Sequence, residues 1–248
     1  MPNAALRAAR PRETHPRPNR KSLEGRRVNE ALRADTLPDH VLLEELGSGV
    51  AAMNIALDET QMQALIAYVR MIDKWNRTFN LTAIREPERM VGLHLLDSLA
   101  VVPHIPRDAV LADVGSGAGL PGIPIAIARP DVRITLIDTV AKKATFMQQV
   151  VGELRLPNLE VRHARVETLA LNSPCDIVIS RAFAELKDFA ESSAHLLRAG
   201  GKLFAMKGVL PHEEIARLPA RFTVDATRPL HVSGVEGQRH LIVISPSP

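Results

Sequence analysis

The spacing of hydrophobic residues along the chain changes near residue 107. Between Asp58 and Phe79 the apolar positions recur every three or four residues, which predicts one long amphipathic helix. Asp58 followed by Gln61 three residues later predicts a capping box at its start. A second helix is predicted to begin at Pro87 and to continue through "ERMVGLHLLDSLAVV". A shorter one is predicted over "DHVLLEEL", closed by Gly47.

After Pro106 short β-rich runs alternate with helical segments. The runs are "AVLADVG", "VRITLID", "LEVRHARVE", "CDIVISRAF" and "GKLFAMKG". Alternation of this kind predicts an α/β fold with a mostly parallel sheet covered by helices on both faces. The last segment, "FTVDATRPLHVSGVEGQRHLIVISP", holds two β-rich runs without a helix between them, and it predicts a closing antiparallel hairpin.

Charge separates the first residues from the rest of the 248-residue chain. Residues 1–33 hold nine of the 31 Lys and Arg residues and three of the 28 Asp and Glu residues, although the whole chain carries only +3. This Pro- and Arg-rich leader has few apolar residues and is predicted to be disordered. It is interpreted as a solvated tail or as an arm that meets phosphates, whereas its prolines disfavour a transit peptide. Helical residues 34–107 and a ligand-binding domain at 108–248 are predicted to follow.

The thiol content and the hydropathy limit the possible classes of protein. A single cysteine, Cys175, excludes an internal disulfide framework and a four-thiolate zinc site. No run of about 18 uncharged apolar residues is present. A cytoplasmic protein without a membrane span or a metal site is therefore expected, with a monomer as the default state.

The stretch "LADVGSGAGLPG" predicts a cofactor loop between the first strand and the next helix. Gly117, Gly119 and Gly122 satisfy G-x-G-x-x-G, which alone indicates a dinucleotide site. Asp113 beside the loop would repel a pyrophosphate, but it suits the cationic groups of S-adenosylmethionine. Asp138, 23 residues after Gly115, is predicted to accept hydrogen bonds from ribose hydroxyls, as it would also do with NAD.

Several further motifs, in order along the chain, extend this pattern: "KWNRTFNLTAI", "HLLDSLA", "DVGSGAGLPGIPIAI", "ISRAFA", "MKG" and "GQRHLIVI". From about Leu37 onward the chain resembles the RsmG (GidB) family of bacterial 16S rRNA guanine-N7 methyltransferases. The resemblance implies a Rossmann-like class I methyltransferase fold with seven strands, S-adenosylmethionine as the cofactor, and 16S rRNA or the small ribosomal subunit as the partner. The cofactor contacts that it implies are Gly115, Leu120, Val166, Glu167 and Arg181.

The residues near the fourth strand are compatible with methylation at N7. An exocyclic amine acceptor commonly requires a D/N-P-P-F/Y segment, but this chain has "ISRAFAEL" at that place. Cys175 lies at the start of its strand, the wrong end for a nucleophile, and is expected to pack in the core. Guanine N7 carries a free lone pair and no proton, so we expect no catalytic acid, base or nucleophile, only positioning.

Arg181 is expected to have a positioning role, by contacting the cofactor carboxylate, by stacking on guanine or by binding the O6 and N7 edge, unless it only forms a salt bridge. Contact with the cofactor carboxylate or stacking is preferred, because binding N7 would block its lone pair. Phe183 is interpreted as a stacking platform or as a core residue. His94 and Asp97 are interpreted as a capping or packing pair that closes one wall of the pocket, and His94 is also counted among the RNA-contact candidates. The other candidates for RNA contact are basic residues that are otherwise solvated surface charges: Arg85, Lys142, Lys143, Lys207 and Arg239.

Three alternatives to an rRNA methyltransferase remain open from the residues. A methyltransferase acting on a protein or a small molecule would have the same loop. An NAD-dependent dehydrogenase would also use Gly117 and Asp138. A non-catalytic RNA-binding module with a vestigial loop is disfavoured by the intact set from Asp113 to Gly122.

Overall fold

The computed structural model describes residues 37–181, 183 and 185–247, so the predicted leader at 1–33 lies outside the described residues. The chain begins with helices α1 (Asp39–Ala52) and α2 (Glu59–Phe79). A third helical stretch follows as α3 (Pro87–Met90), a π-helical segment (Val91–Leu96) and α4 (Asp97–Leu99). Helices therefore occupy most of the chain between Asp39 and Leu99.

The ends of these helices follow from individual residues. The predicted capping box is confirmed, because Asp58 Oδ1 accepts a 2.8 Å hydrogen bond from the Gln61 backbone N–H and Gln61 Oε1 accepts one of 2.9 Å from Asp58. The predicted end of α1 at Gly47 is wrong. The helix continues to Ala52, since Gly49 is buried so close to Leu96 that an added Cβ would lie 2.4 Å from its Cδ1.

Seven strands form one sheet in the order β3-β2-β1-β4-β5-β7-β6. They are β1 (Val110–Val114), β2 (Arg133–Asp138), β3 (Leu159–His163), β4 (Cys175–Arg181), β5 (Leu197–Lys207), β6 (Phe222–Pro229) and β7 (His240–Pro246). The first five run parallel, and β7 pairs antiparallel with both β5 and β6. The predicted closing hairpin is confirmed, and so is the predicted Rossmann-like α/β fold with a mostly parallel seven-stranded sheet.

Helices α5 (Gly122–Ala128), α6 (Ala141–Leu154), α7 (Leu186–Ser193) and α8 (His212–Ala216) connect the strands. The largest apolar cluster spans both predicted regions, since Leu65 and Leu99 of the helical region share it with Leu111 of β1. A second cluster, which includes Val178 and Phe189, packs between the sheet and α7. The N-terminal helices are thus part of the same core as the sheet, and they fix the position of the loop that follows β1.

Candidate cofactor and acceptor site

The glycine loop between β1 and α5 lies where three parallel strands end. Strand β1 is central, with β2 on one side and β4 on the other. The carboxyl ends of parallel strands meet at one edge of a sheet, and ligands of α/β folds bind there. The loop after Val114, the strand-end Asp138 and Arg181 therefore lie at one edge, as the sequence predicted.

The glycines of this loop have two different physical roles. Gly115, Gly117 and Gly119 all have positive φ angles, of 72°, 62° and 93°. A Cβ added at Gly115 would meet nothing within 4 Å, so its backbone borders open space. A Cβ on Gly122 would instead lie 2.2 Å from Leu136 Cδ2 and 2.9 Å from Asp113 Oδ2, so this glycine allows α5 to pack closely on the sheet.

Asp113 in β1 binds the first residue of α5. Its Oδ2 accepts a 2.9 Å hydrogen bond from the Gly122 backbone N–H, where the helix dipole also favours a negative charge. The side chain is fully buried, and Oδ1 has no hydrogen-bond partner among the described residues. Burial raises the pKa of this carboxyl to about 7, and the Gly122 N–H opposes that shift. Because the Asp113 carboxylate has no exposed surface, it cannot contact a cofactor directly.

Asp138 links the end of β2 to the loop. Its Oδ2 accepts a 2.9 Å hydrogen bond from the Gly117 backbone N–H, and Oδ1 accepts one of 2.8 Å from Val140. Lys143 Nζ lies 3.9 Å from Oδ2. An ionised carboxylate has about four lone-pair positions, so both oxygens keep acceptor capacity for hydroxyl groups. The predicted ribose contact is compatible with this geometry.

The other predicted cofactor contacts lie around the same edge. Leu120 and Val166 are buried, and Val166 begins a short 3₁₀ turn (Val166–Thr168) after β3. Glu167 in that turn is exposed. The structure thus provides an apolar wall followed by a solvent-facing carboxylate, beside the strand that ends in Asp138.

Arg181 forms an ion pair at the end of β4. Its Nη1 lies 3.0 Å from Asp97 Oδ2 and donates a 3.0 Å hydrogen bond to the Leu93 carbonyl. Asp97 Oδ1 in turn accepts a 2.8 Å hydrogen bond from Arg239 Nε. One carboxylate therefore holds two guanidinium groups, one from β4 and one from the residue before β7.

This ion-pair group lines a cavity of about 210 Å³. The remaining walls come from the carboxyl end of β5, Gly208 and Leu230. The volume is smaller than the 300–1,000 Å³ of typical pockets for drug-sized ligands, so it suits one ring system better than a whole nucleotide. The cavity lies at the carboxyl ends of β4 and β5, and β4 pairs with β1, the strand that precedes the glycine loop.

His94 is buried inside the helical wall rather than placed for phosphate contact. Its Nε2 lies 3.0 Å from Thr82 Oγ1, and Nδ1 has no partner among the described residues. Burial and the nearby Arg181 guanidinium lower the pKa of His94 to about 4, so the ring is neutral at pH 7. A cationic RNA contact by His94 is incompatible with this structure, whereas the predicted packing role fits. Its segment is π-helical, a feature often found at functional sites.

Two further RNA-contact candidates are engaged within the protein. Lys207 Nζ lies 2.8 Å from Glu214 Oε2 and donates a 3.0 Å hydrogen bond to the Phe183 carbonyl. Phe183 is half-buried, and its ring centroid lies 5.5 Å from that of Phe189. Lys207 thus fixes the segment after β4, and Phe183 packs on α7 while keeping one part of its ring exposed.

Arg85 and Lys142 converge on the C-terminal end of α2. Lys142 Nζ donates a 2.8 Å hydrogen bond to the Phe79 carbonyl, and Arg85 Nη2 donates one of 2.9 Å to Asn80 Oδ1. Both cations are exposed. They lie where the helix dipole favours positive charge, and the start of α6 places Lys142 close in sequence to Asp138. We call Arg85 and Lys142 the basic pair.

Three further findings concern the thiol, metal sites and membrane spans. Cys175 is fully buried at the start of β4, and burial raises the pKa of its thiol to about 11, so it carries no reactive thiolate. Within the described ranges, no three His, Cys, Asp or Glu side chains are grouped to hold a metal ion. No helix in the described part of the chain is long and apolar enough to cross a membrane.

Tyr68 is a residue of this site that the sequence patterns did not predict. It lies fully buried on α2, and its hydroxyl donates a 2.6 Å hydrogen bond to the Ala118 carbonyl in the glycine loop. The apolar stripe of α2 predicts burial on that side of the helix, but the loop contact spans 50 residues of sequence. One sign of this contact is present in the sequence. The chain has a single tyrosine on an apolar helix face, and a buried phenol requires a polar partner.

Comparison with known proteins identifies the family of this chain. The model of the GidB family, described as rRNA small subunit methyltransferase G, matches residues 61–242. The ribosomal RNA small subunit methyltransferase G of Azoarcus sp. (strain BH72) is 52% identical over 200 residues, which cover 81% of this chain and 94% of the relative. The protein of the same name from Neisseria meningitidis serogroup A is 50% identical and covers 82% and 97%.

Solved structures are more distant. TrmN from Thermus thermophilus is 18% identical with a TM-score of 0.49, over 61% of this chain and 48% of that one. A likeness at this level carries no information about the substrate. The family match covers most of the chain and includes the glycine loop, Asp138, Arg181 and Arg239. The chain therefore belongs to the rRNA small subunit methyltransferase G family of methyltransferases.

Proposed function

We propose that the protein transfers a methyl group from S-adenosylmethionine to N7 of a specific guanine in 16S rRNA. The observation that carries the proposal is that two spaces lie at one sheet edge, on the neighbouring strands β1 and β4. One is the open space above Gly115, beside Asp138. The other is the cavity bordered by Arg181 and Asp97. A donor and an acceptor ring bound in these two spaces would be neighbours.

The loop offers space and hydrogen-bond acceptors for a cofactor with a ribose. Gly115 leaves room at its open face, and the carboxylate of Asp138 has acceptor capacity for two hydroxyls of a ribose. Asp113 contributes through the loop, since it anchors Gly122 from beneath. S-adenosylmethionine would supply an electrophilic methyl group on a sulfonium, which the N7 lone pair could accept with the neutral sulfide as the leaving group.

The residues around the cavity support an acceptor atom without a proton. Guanine N7 needs no base, so the work of the protein is to hold the ring in line with the donor. Both oxygens of Asp97 are held by guanidinium groups, and the buried His94 is neutral and bonded to Thr82. These side chains hold, orient and shield a ring. The basic pair and Phe183 are proposed to contact the RNA around it.

The test uses 16S rRNA and small ribosomal subunits from a strain that lacks this enzyme. Full-length protein and labelled S-adenosylmethionine are incubated with each, and the RNA is then cleaved chemically at 7-methylguanosine. We expect label in the RNA and a single cleavage site, and loss of both with Asp138→Ala. Asp225→Asn, on the far β6 edge of the sheet, serves as the matched control and keeps both.

Two outcomes contradict the proposal at different levels. Label in the RNA without a cleavable site rejects N7 and leaves rRNA methylation standing. Label in a ribosomal protein or a small molecule, with none in RNA, rejects the nucleic-acid substrate and favours a methyltransferase of the same fold with another acceptor.

A further inference from the structure

Asp97 has a position that a simple packing residue does not need. Its side chain is 9% exposed, and the residue lines the cavity at the ends of β4 and β5. The carboxylate reaches this place from the helical region, through α4, and it borders the space between Arg181 and Arg239. Burial of a carboxylate is costly unless its oxygens are bonded, and here both are.

The two ion pairs leave part of the carboxylate available. Oδ1 accepts from Arg239 Nε at 2.8 Å and Oδ2 from Arg181 Nη1 at 3.0 Å. Because an ionised carboxylate has about four lone-pair positions, each oxygen can accept one more hydrogen bond. Arg181 makes both of its hydrogen bonds through Nη1, so among the described residues its Nε and Nη2 remain for a ligand. Two residues that line the cavity, Asp97 and Arg181, thus retain acceptor and donor capacity side by side.

This order of acceptors and donors is complementary to one edge of guanine. The Watson–Crick edge of guanine has two adjacent donors, N1–H and N2–H₂, followed by the acceptor O6. Adenine has an N1 lone pair where guanine has a donor, and a carboxylate would repel it. N7 lies on the other edge of the guanine ring, so binding of the Watson–Crick edge leaves N7 accessible.

We propose that Asp97 determines the specificity for guanine by accepting hydrogen bonds from N1–H and N2–H₂ of the acceptor base, with the Arg181 guanidinium facing O6. This inference rests on the proposed function, which supplies guanine as the acceptor. It adds a readout of the base, for which the two arginines preorganise the carboxylate.

The same contact favours the transition state. Methylation at N7 leaves a positive charge on the purine ring, and the charge makes N1–H and N2–H₂ stronger donors. Hydrogen bonds to a carboxylate strengthen as that charge develops, and only interactions that strengthen in this way raise the rate. Asp97 therefore acts on kcat as well as on the choice of base, without taking a proton.

The experiment is a cycle of two enzymes and two substrates. The acceptor guanine is first mapped by cleavage at 7-methylguanosine, and a ligated 16S rRNA is then built with inosine at that position. Inosine keeps N7, O6 and N1–H but lacks the N2 amino group. Wild-type protein and Asp97→Asn are compared on both RNAs. The matched control is Asp73→Asn on α2, which removes a carboxylate that pairs with Arg77 of the same helix.

We expect the wild type and Asp73→Asn to prefer guanine over inosine by about fivefold or more in kcat/KM, the lower end of the effect of a paired base contact. Asp97→Asn should lower kcat on guanine by about tenfold and bring the preference close to one. A purely structural role would lower both rates and keep the preference.

The preference for guanine decides the inference separately from the proposed function. A wild-type protein that methylates guanine and inosine equally overturns the inference and leaves the proposed function intact. A wild-type protein that does not produce 7-methylguanosine overturns the proposed function itself. If Asp97→Asn does not fold, Asp97→Glu keeps the carboxylate, and it should retain a preference for guanine at a lower rate; a loss of the preference in folded Asp97→Glu contradicts the readout.

Discussion

The hydroxyl of Tyr68 and the backbone carbonyl of Ala118 are joined by a 2.6 Å hydrogen bond between α2 and the glycine loop. The ring is fully buried and stacks against Phe146 of α6 at a centroid distance of 6.4 Å. Burial raises the pKa of this phenol above its ordinary value, so the group remains a donor at any physiological pH. The helical region thus determines the shape of the loop that we propose holds the cofactor.

Removal of this hydroxyl should weaken both the fold and the cofactor site. Tyr68→Phe leaves the buried Ala118 carbonyl without its partner, which costs about 1–3 kcal/mol in the free energy of unfolding. We also expect weaker binding of S-adenosylhomocysteine, because the loop loses a fixed point. Urea denaturation and calorimetric titration measure the two effects. Ser192→Ala, which removes a hydroxyl bonded within its own helix, is the control; equal results for the two variants contradict the role of Tyr68.

The glycines of the loop should separate ligand binding from folding. Gly115→Ala places a methyl group in open space at a φ of 72°, which costs about 1–2 kcal/mol of stability. The same methyl group enters the space assigned to the cofactor. A steric cost of about 1.4 kcal/mol there lowers the affinity for S-adenosylhomocysteine tenfold. Calorimetric titration of the folded variant gives the affinity.

Gly122→Ala should show the opposite balance. Its Cβ would lie 2.2 Å from Leu136 and 2.9 Å from Asp113, so overpacking costs about 1–3 kcal/mol or prevents folding. Gly152→Ala in α6 meets nothing within 4 Å and should gain about 0.5–1 kcal/mol, which makes it the control for both. A Gly115→Ala protein with unchanged affinity would show that the cofactor does not lie above Gly115.

The fold was predictable because it depends on local patterns. The capping box at Asp58 and Gln61 and the hairpin of β6 and β7 are decided by residues close together in sequence. The end of α1 at Ala52 was not predictable, and the predicted end at Gly47 was wrong. That helix continues because Gly49 faces Leu96, and the sequence does not show which helix will pack there.

The candidate site was predictable in its position but not in its pairings. Strand ends at Asp138 and Arg181 follow from the alternation of strands and helices. The partners of Arg181 come from residues that are 84 and 88 positions away, and Arg239 reaches Asp97 across 142 positions. Spacing predicted a wall residue at Asp97, whereas its place between two guanidinium groups depends on the register of β7 against β5.

Two buried groups should oppose each other in the pH dependence of stability. Burial raises the pKa of Asp113 to about 7 from an ordinary value of 3.8, so the folded state binds the extra proton and stability falls as the pH rises from about 4 to 7. Burial lowers the pKa of His94 to about 4 from 6.5, so the unfolded state binds the extra proton and stability rises between pH 4 and 6.5. The two slopes are each at most about 1.4 kcal/mol per pH unit, and they offset in the wild type.

Single variants should uncover each slope. Asp113→Asn keeps an acceptor for Gly122 and leaves the His94 contribution, so its free energy of unfolding should rise between pH 4 and 6.5. His94→Gln leaves the Asp113 contribution and should become less stable over the same range. Urea denaturation at several pH values measures both. Parallel profiles for the two variants contradict the assignment.

The basic pair should act on RNA and not on the cofactor. Arg85 and Lys142 are exposed at the end of α2, where the side chain of each makes one hydrogen bond to a neutral oxygen among the described residues, so their charges remain available for phosphates. Removal of one cation that binds a phosphate reduces the slope of log affinity against log salt by about 0.7 to 0.9. We therefore expect Arg85→Ala and Lys142→Ala to weaken binding of 16S rRNA and to lower this slope by nearly one unit each, with the affinity for S-adenosylhomocysteine unchanged. Filter binding at several salt concentrations measures the slope. Arg133→Ala, at the opposite end of the sheet where β2 begins, is the matched control. If its slope falls as much as those of the pair, RNA binding is spread over the surface and this patch has no special part in it.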